Sequence, residues 1–248
     1  CDFENIQAAI TSGVEEVRVQ KSLTFTENLT IQNQNIRIIG GYTTCTHANN
    51  GNNPSTASTI VDGNNTGPTL IVDNDNSDYE ITLKNLWLQN GNSGAVNLGG
   101  GLQATGEQTS INIENTWAIN NTGSGINAEG IQQLIIKDSL IGYNNAVLGG
   151  GVACSDTHVY IYGKTSIQSN SASLAGGGVY AFNNCNFSLY SGQPFPASGS
   201  SGIKFNKTPG QGGGIYAQSG SIINLTGAVI DYGNGNVFGD ATVALEIS

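Results

Sequence analysis

Positive charge is scarce in this chain. Lysine and arginine together number 8 in 248 residues, against 18 aspartates and glutamates, for a net charge of −10. Nucleic acids and anionic membrane surfaces are held by a basic footprint, so neither is expected as a partner. The same imbalance works against polyanionic substrates unless a cation bridges them. No run of 18 apolar residues occurs, and no membrane insertion is expected. Histidine is limited to His47 and His158, far apart, and the four cysteines lack CxxC spacing, which argues against a zinc site. Two disulfides in an oxidising, extracellular compartment fit Cys1, Cys45, Cys154 and Cys185 better. Cys1–Cys45 and Cys154–Cys185 are the expected pairs among the three connectivities that four cysteines allow, with buried free thiols as the alternative.

What abounds is glycine, at 35 residues, and asparagine, at 31. The glycines come in words: "LGGGVAC" from Leu148, "LAGGGVYAF" from Leu174 and "GQGGGIYAQ" from Gly210. None ends in the GK[ST] of a phosphate-binding loop, and a β-branched residue always follows. The first glycines of successive words fall at 99, 123, 149, 176 and 212, steps of 24, 26, 27 and 36, the last lengthened by an expected surface insertion near residues 192–201. A self-similar period in the twenties reads as a solenoid.

Each unit opens with strict alternation, as in Ile81 and Leu83, Ile111 and Ile113, or Val159 and Ile161, the pattern of a strand with one face buried. A second short strand follows a polar turn and a third follows the glycines. Three strands per turn, each paired with its equivalent in the next, make an all-β parallel β-helix. Gly and Asn are poor helix formers and no 3.6-residue stripe appears, so helical repeats are excluded. Asparagines at the turns (Asn85, Asn115 and Asp138 in one column; Asn90, Asn120 or Asn121, Asn144 or Asn145, Asn170 and Asn206 in another) predict left-handed corners and stacked amide ladders. The chain is thus expected to be one domain, 1–248. Residues 1–80 form the cap and first coils, with a helix over Glu4–Gly13 covering the open end, and 81–248 the regular coils. The apolar ending "DATVALEIS" has no polar cap, so either the chain continues or a partner covers that face, and end-to-end self-association through the C-terminal coil is one expectation.

The words "FENIQAAITSG", "TFTENLTI", "NIRIIGGY" and "TIVDG", with the later GGGV and GGGI, resemble the right-handed parallel β-helix, or pectin-lyase-like, superfamily. Within it the chain looks like bacterial secreted proteins: autotransporter passengers, adhesins and polymorphic outer-membrane protein repeats. Those repeats carry GGA and FxxN, whereas here the third position is Gly and "FNKT" (Phe205 to Thr208) departs from FxxN. The resemblance implies the fold and leaves function to the site.

Glycoside hydrolysis needs two carboxylates about 5–10 Å apart, and none occupy adjacent rungs of one column in the aligned coils. Glu114 falls between Lys84 and Lys137, which cross-strand charge pairing explains. "DNDNSD" places Asp73, Asp75 and Asp78 like the start of a Ca²⁺ loop. It lacks the central glycine and closing glutamate, so a solvated turn is the competing reading and Ca²⁺ the sole cofactor in question. The remaining candidate is a column of Trp87, Trp117 and Leu140 on the outer surface, with Leu88, Ala118 and Ile141 inward. Exposed aromatics mark interaction sites. The alternative is that they support the ladder or lie under another segment. The sequence therefore points to a non-catalytic extracellular adhesin, glycan- or receptor-binding or structural module, with a polysaccharide lyase or hydrolase as the alternative and a self-assembling subunit as the third reading.

Overall fold

The structure, a computed structural model, describes residues 3–75, 77–94, 98–190, 202–227, 229–230, 237–239 and 242–246. The expected insertion near 192–201 lies outside them, as do Cys1 and the last two residues.

The chain coils through three parallel sheets. Sheet A stacks Glu16–Gln20, Ile36–Tyr42, Tyr79–Lys84, Thr109–Glu114, Gln133–Lys137, His158–Tyr162, Asn186–Tyr190, Ile222–Thr226 and Thr242–Glu246. Sheet B stacks Thr24–Thr26, Thr59–Asp62, Leu86–Gln89, Trp117–Ile119, Leu140–Gly142, Ser166–Gln168, Gly202–Lys204 and Val229–Ile230. Sheet C stacks Leu29–Ile31, Leu70–Asp73, Gly99–Thr105, Ser124–Glu129, Val152–Ser155, Val179–Phe182, Ile215–Ala217 and Val237–Gly239. Each coil visits A, B and C in turn, and every strand pairs with its equivalent one coil later. This is a right-handed parallel β-helix.

Alternation fixes the inside. On sheet A, Val17, Ile38, Leu83, Ile113, Ile136, Ile161, Leu189 and Leu225 stand in register and are all buried. Stacked aliphatic columns like this one fill the interior, and burial of each branched side chain is worth about 1.5–3 kcal/mol before chain entropy is subtracted. The buried disulfide Cys154–Cys185, with Cα atoms 5.7 Å apart, ties sheet C to the corner that opens the next coil. Cys45 is also disulfide-bonded, and its expected partner Cys1 is not among the described residues.

The corners follow the asparagines. Asn85, Asn115 and Asp138, with φ of 55°, 46° and 50°, turn the chain from sheet A to sheet B. Behind that turn runs a hydroxyl ladder absent from the sequence reading: Thr116 N–H donates to Ser139 Oγ at 3.1 Å, and Ser139 N–H to Thr165 Oγ1 at 3.3 Å. At the exit from sheet B stands a buried ladder of Asn121, Asn144, Asn170 and Asn206. Asn144 Nδ2 donates to Asn170 Oδ1 at 2.9 Å and Asn170 Nδ2 to Asn206 Oδ1 at 2.9 Å. Each Oδ1 also accepts a backbone N–H, as Asn170 Oδ1 does from Asn144 at 3.0 Å, and each Nδ2 also donates to a strand carbonyl, as Asn170 does to Ile141 at 3.0 Å. One coil earlier Gly91 takes the place expected for Asn90, and its N–H donates to Asn121 Oδ1 at 2.8 Å.

After the ladder the chain forms a short fourth face, where Asn145–Leu148 pairs with Ser171–Ala175, before the glycines return it to sheet C. Gly149, Gly176 and Gly212 are left-handed, with φ of 58°, 65° and 68°. A Cβ on Gly150 would lie 2.5 Å from the Gly177 carbonyl of the next coil, so consecutive coils can only stack there glycine on glycine.

At the open end, α1 (Ile6–Thr11) is shorter than the expected Glu4–Gly13 because Asn5 caps it, accepting from Ala8 N–H. Gln7 closes the free edge of sheet C: its Nε2 donates to Thr30 O at 3.1 Å while its Oε1 accepts from Thr30 N–H at 2.7 Å. A second helix, α2 (Cys45–Asn49), covers the side of the first coils and buries Ala48.

Asp62 occupies the sheet B exit one coil before Gly91. Burial pushes its carboxyl up, but hydrogen bonds from Asn64 N–H, Gln89 Nε2 and Asn90 Nδ2 outweigh that and hold it below its ordinary 3.8. A lowered folded value stabilises above the unfolded one and is lost as pH falls through the folded one. The melting-temperature gap between wild type and Asp62→Asn is therefore expected to be full near neutrality and to close below pH 3.8. Asn170→Ala removes four buried side-chain hydrogen bonds and leaves the Asn144 N–H without its acceptor, so at about 0.5–1.5 kcal/mol per bond denaturant titration should show a loss of about 3 kcal/mol.

Candidate functional site: the outer face of sheet B

Sheet B turns one residue of each strand triplet inward and its neighbours outward. Val61, Leu88, Ala118, Ile141, Ile167 and Ile203 line the core. The preceding residues, Ile60, Trp87, Trp117 and Leu140, form an outer column in register. Trp87 and Trp117 are half-buried, with ring centroids 4.5 Å apart and planes 7° from parallel. The rings therefore lie face to face between successive coils, and their edges meet solvent. Neither indole N–H finds an acceptor among the described residues.

Polar groups frame this column. Toward sheet A, Lys84 Nζ and Glu114 Oε2 pair at 3.1 Å, while Lys137, though in register with Glu114, lies instead 4.0 Å from Asp138. The lysine–glutamate–lysine column is thus only half bonded. On the other flank stand Gln89 and Asn90, both held by Asp62.

Two further aromatic columns escaped the sequence reading. On the outer face of sheet A, Tyr162 stacks on Tyr190 (5.2 Å, 10°) and lies beside Tyr160 (6.3 Å, 16°). Burial, then the neighbouring Tyr190 and Tyr160 phenols, raise the Tyr162 hydroxyl above 10.0. On sheet C, Tyr180 stacks on Tyr216 (5.5 Å, 4°) and accepts from Gln218 Nε2 at 2.7 Å. Burial first, then Tyr216, raise the Tyr180 hydroxyl. The signal for this last pair was the repeated word itself, GGGVYA against GGGIYA.

The three aspartates of the Ca²⁺ expectation have separate surroundings. Asp73 points out from sheet C and accepts from Thr105 Oγ1 at 3.2 Å and Gln32 Nε2 at 3.3 Å. Asp75 closes a turn onto Ser77 N–H at 2.9 Å. Asp78 lines a polar depression of about 630 Å³ on sheet A, with Glu15, Arg37, Glu80 and Gln133. Among the described residues no three carboxylate, histidine or cysteine groups converge as metal ligands, because the strand and turn between Asp73 and Asp78 carry them to different faces. Two carboxylates do share a column on sheet C: Asp73 and Glu129 flank Thr105, two rungs apart, which is about 10 Å at ~4.8 Å per rung. No helix among the described residues is long and apolar enough to cross a membrane.

No family model matches the chain, and no curated protein is similar to it in sequence. Among solved structures it is similar to YbhC of Escherichia coli, at 13% identity and a TM-score of 0.44, over 92% of this chain and 72% of that one. It is also similar to the pectin methylesterase of Aspergillus niger in deglycosylated form, at 14% identity and a TM-score of 0.34, over 100% of this chain and 83% of that one. Likeness at this level carries no argument about activity. The chain's own three parallel sheets make it a parallel β-helix.

Proposed function

We propose that this protein is an extracellular β-helix binding module that engages a glycan or a cell-surface receptor through the outer face of sheet B. One observation carries it: both tryptophans of the chain stand in a single outward column, continued by Ile60 and Leu140, with indole N–H groups that no described residue accepts. Tryptophan concentrates binding energy where an apolar body meets a polar rim, here Lys84, Glu114 and Gln89. Because one face of each ring is spent on the other and Ile60 and Leu140 continue the column on the outer sides, a ligand meets ring edges and donors, so recognition is by hydrogen bonds along the stripe. The buried Cys154–Cys185 disulfide is compatible with an oxidising compartment. Trp87→Ala with Trp117→Ala should weaken the tightest ligand on a glycan array, or binding to cell surfaces, by about tenfold or more. The circular dichroism of the coil should be retained. Undiminished binding by the folded double variant sinks the proposal.

A polysaccharide-cleaving enzyme is the second reading, supported by Asp73 and Glu129 flanking Thr105 on the opposite sheet. Their backbone positions are about 10 Å apart, just beyond the roughly 6.5–9.5 Å between carboxyl groups in an inverting hydrolysis, a difference that side-chain torsions can close. If it holds, wild type releases reducing ends from a polysaccharide panel, and Asp73→Asn or Glu129→Gln lowers that rate at least about 100-fold. Absence of release across the panel rejects it.

A further inference from the structure

The corner between sheet B and the short fourth face carries an anomaly. The residue before each ladder position is left-handed: Asn90 (φ 53°), Asn120 (56°), Tyr143 (59°), Ser169 (55°) and Phe205 (54°). Asparagine tolerates this conformation, whereas a bulky aromatic there is strained. Burial does not offset the strain, since Tyr143 is 55% and Phe205 59% exposed, and neither ring stacks on another among the described residues. Two aromatics thus sit at the backbone position least suited to them and gain little packing in return, a combination typical of binding surfaces.

The surroundings narrow the ligand. Tyr143, Ser169 and Phe205 stand one above another, because Gly142, Gln168 and Lys204 before them are in register. The serine leaves a gap between the rings of two rungs, about 10 Å, which is roughly the length of two sugar units. Lys204 and Lys207 straddle Phe205, and neither is in an ion pair among the described residues. No aspartate or glutamate occurs in 139–147, 166–175 or 202–211, the segments that build the corner, although the whole chain carries −10. Asn145 Oδ1 accepts from Ser171 Oγ at 2.8 Å, which leaves its amide N–H groups free to donate.

We propose that this corner binds a sugar chain bearing an anionic substituent, carboxylate or sulfate. Tyr143 and Phe205 offer ring faces to two sugars, Ser169 and Asn145 offer hydrogen bonds between them, and the Lys204 and Lys207 ammonium groups take the anion. A lysine ammonium is a point charge without the fork of arginine, so the site accepts either anion. The corner uses none of the side chains of the tryptophan column, so the two surfaces stand or fall separately.

The test exploits the strain. Tyr143→Asn and Phe205→Asn place in the corner the residue that Asn90 and Asn120 already show fits it, so the melting temperature of the double variant is expected to hold or rise. Its affinity for a sulfated oligosaccharide or an oligouronate, measured by calorimetry beside a neutral oligosaccharide of equal length, should fall about tenfold. Lys204→Gln with Lys207→Gln should abolish the salt dependence of binding, and Trp87→Ala with Trp117→Ala should leave binding at this corner intact. Preference for one anionic probe identifies the substituent. A fall in melting temperature on the asparagine substitutions would make the rings structural and overturn the proposal. So would equal binding of neutral and anionic probes, or no binding of either anionic probe.

Discussion

At the exit from sheet B, a side-chain amide stands in for a peptide group. A coil must turn sharply there, and the turn strips backbone donors and acceptors of their strand partners in a region closed to water. A buried amide left unpaired costs about 1–3 kcal/mol, so corners of this sharpness need a substitute. Asn121, Asn144, Asn170 and Asn206 supply it: the carbonyl accepts the backbone N–H and the amide of the coil before, and the amide returns a bond to a strand carbonyl. Much else follows from that ladder. The residue before it must be left-handed, the fourth face begins just after it, and the glycines must bring the chain back within one carbonyl's reach of the next coil.

Architecture was legible because it is written in period and alternation. The inward columns of Ile81, Ile111 and Val159 announced one buried face, and Asn85, Asn115 and Asp138 announced one-residue corners. The choice between Asn120 and Asn121, or Asn144 and Asn145, stayed open in the sequence. Geometry settles it: Asn120 takes the left-handed angle and Asn121 turns into the core, whereas Asn144 itself turns into the core after the left-handed Tyr143, and Asn145 opens the fourth face. The hydroxyl ladder of Thr116, Ser139 and Thr165 was hidden because serine and threonine are common at every turn of this chain. The fourth face was hidden because its strands pair over only two coils.

The candidate site was half legible, for a related reason. Register follows from pattern, so Trp87, Trp117 and Leu140 could be placed in one column. Ring orientation depends on side-chain torsions, which pattern does not encode. Successive coils are separated by about 4.8 Å, within the range of roughly 4.5–7 Å between the centroids of paired aromatic rings, so a repeat of the same aromatic favours stacking along the axis. The pairs Trp87–Trp117, Tyr162–Tyr190 and Tyr180–Tyr216 all obey this. A β-helix thus tends to convert an aromatic repeat into internal cohesion, and open ring faces remain where the repeat is interrupted, as at Tyr143 and Phe205 with Ser169 between them.

The Gln7 amide has a different kind of consequence. By giving Thr30 both a donor and an acceptor, it occupies the hydrogen-bonding sites that an incoming strand would use at the start of sheet C. A naked parallel edge is a template for aggregation, and a single side chain on a two-turn helix removes one. The stack therefore has a polarity of growth: at this end sheet C cannot recruit another chain's strand without first unseating a helix that belongs to the fold.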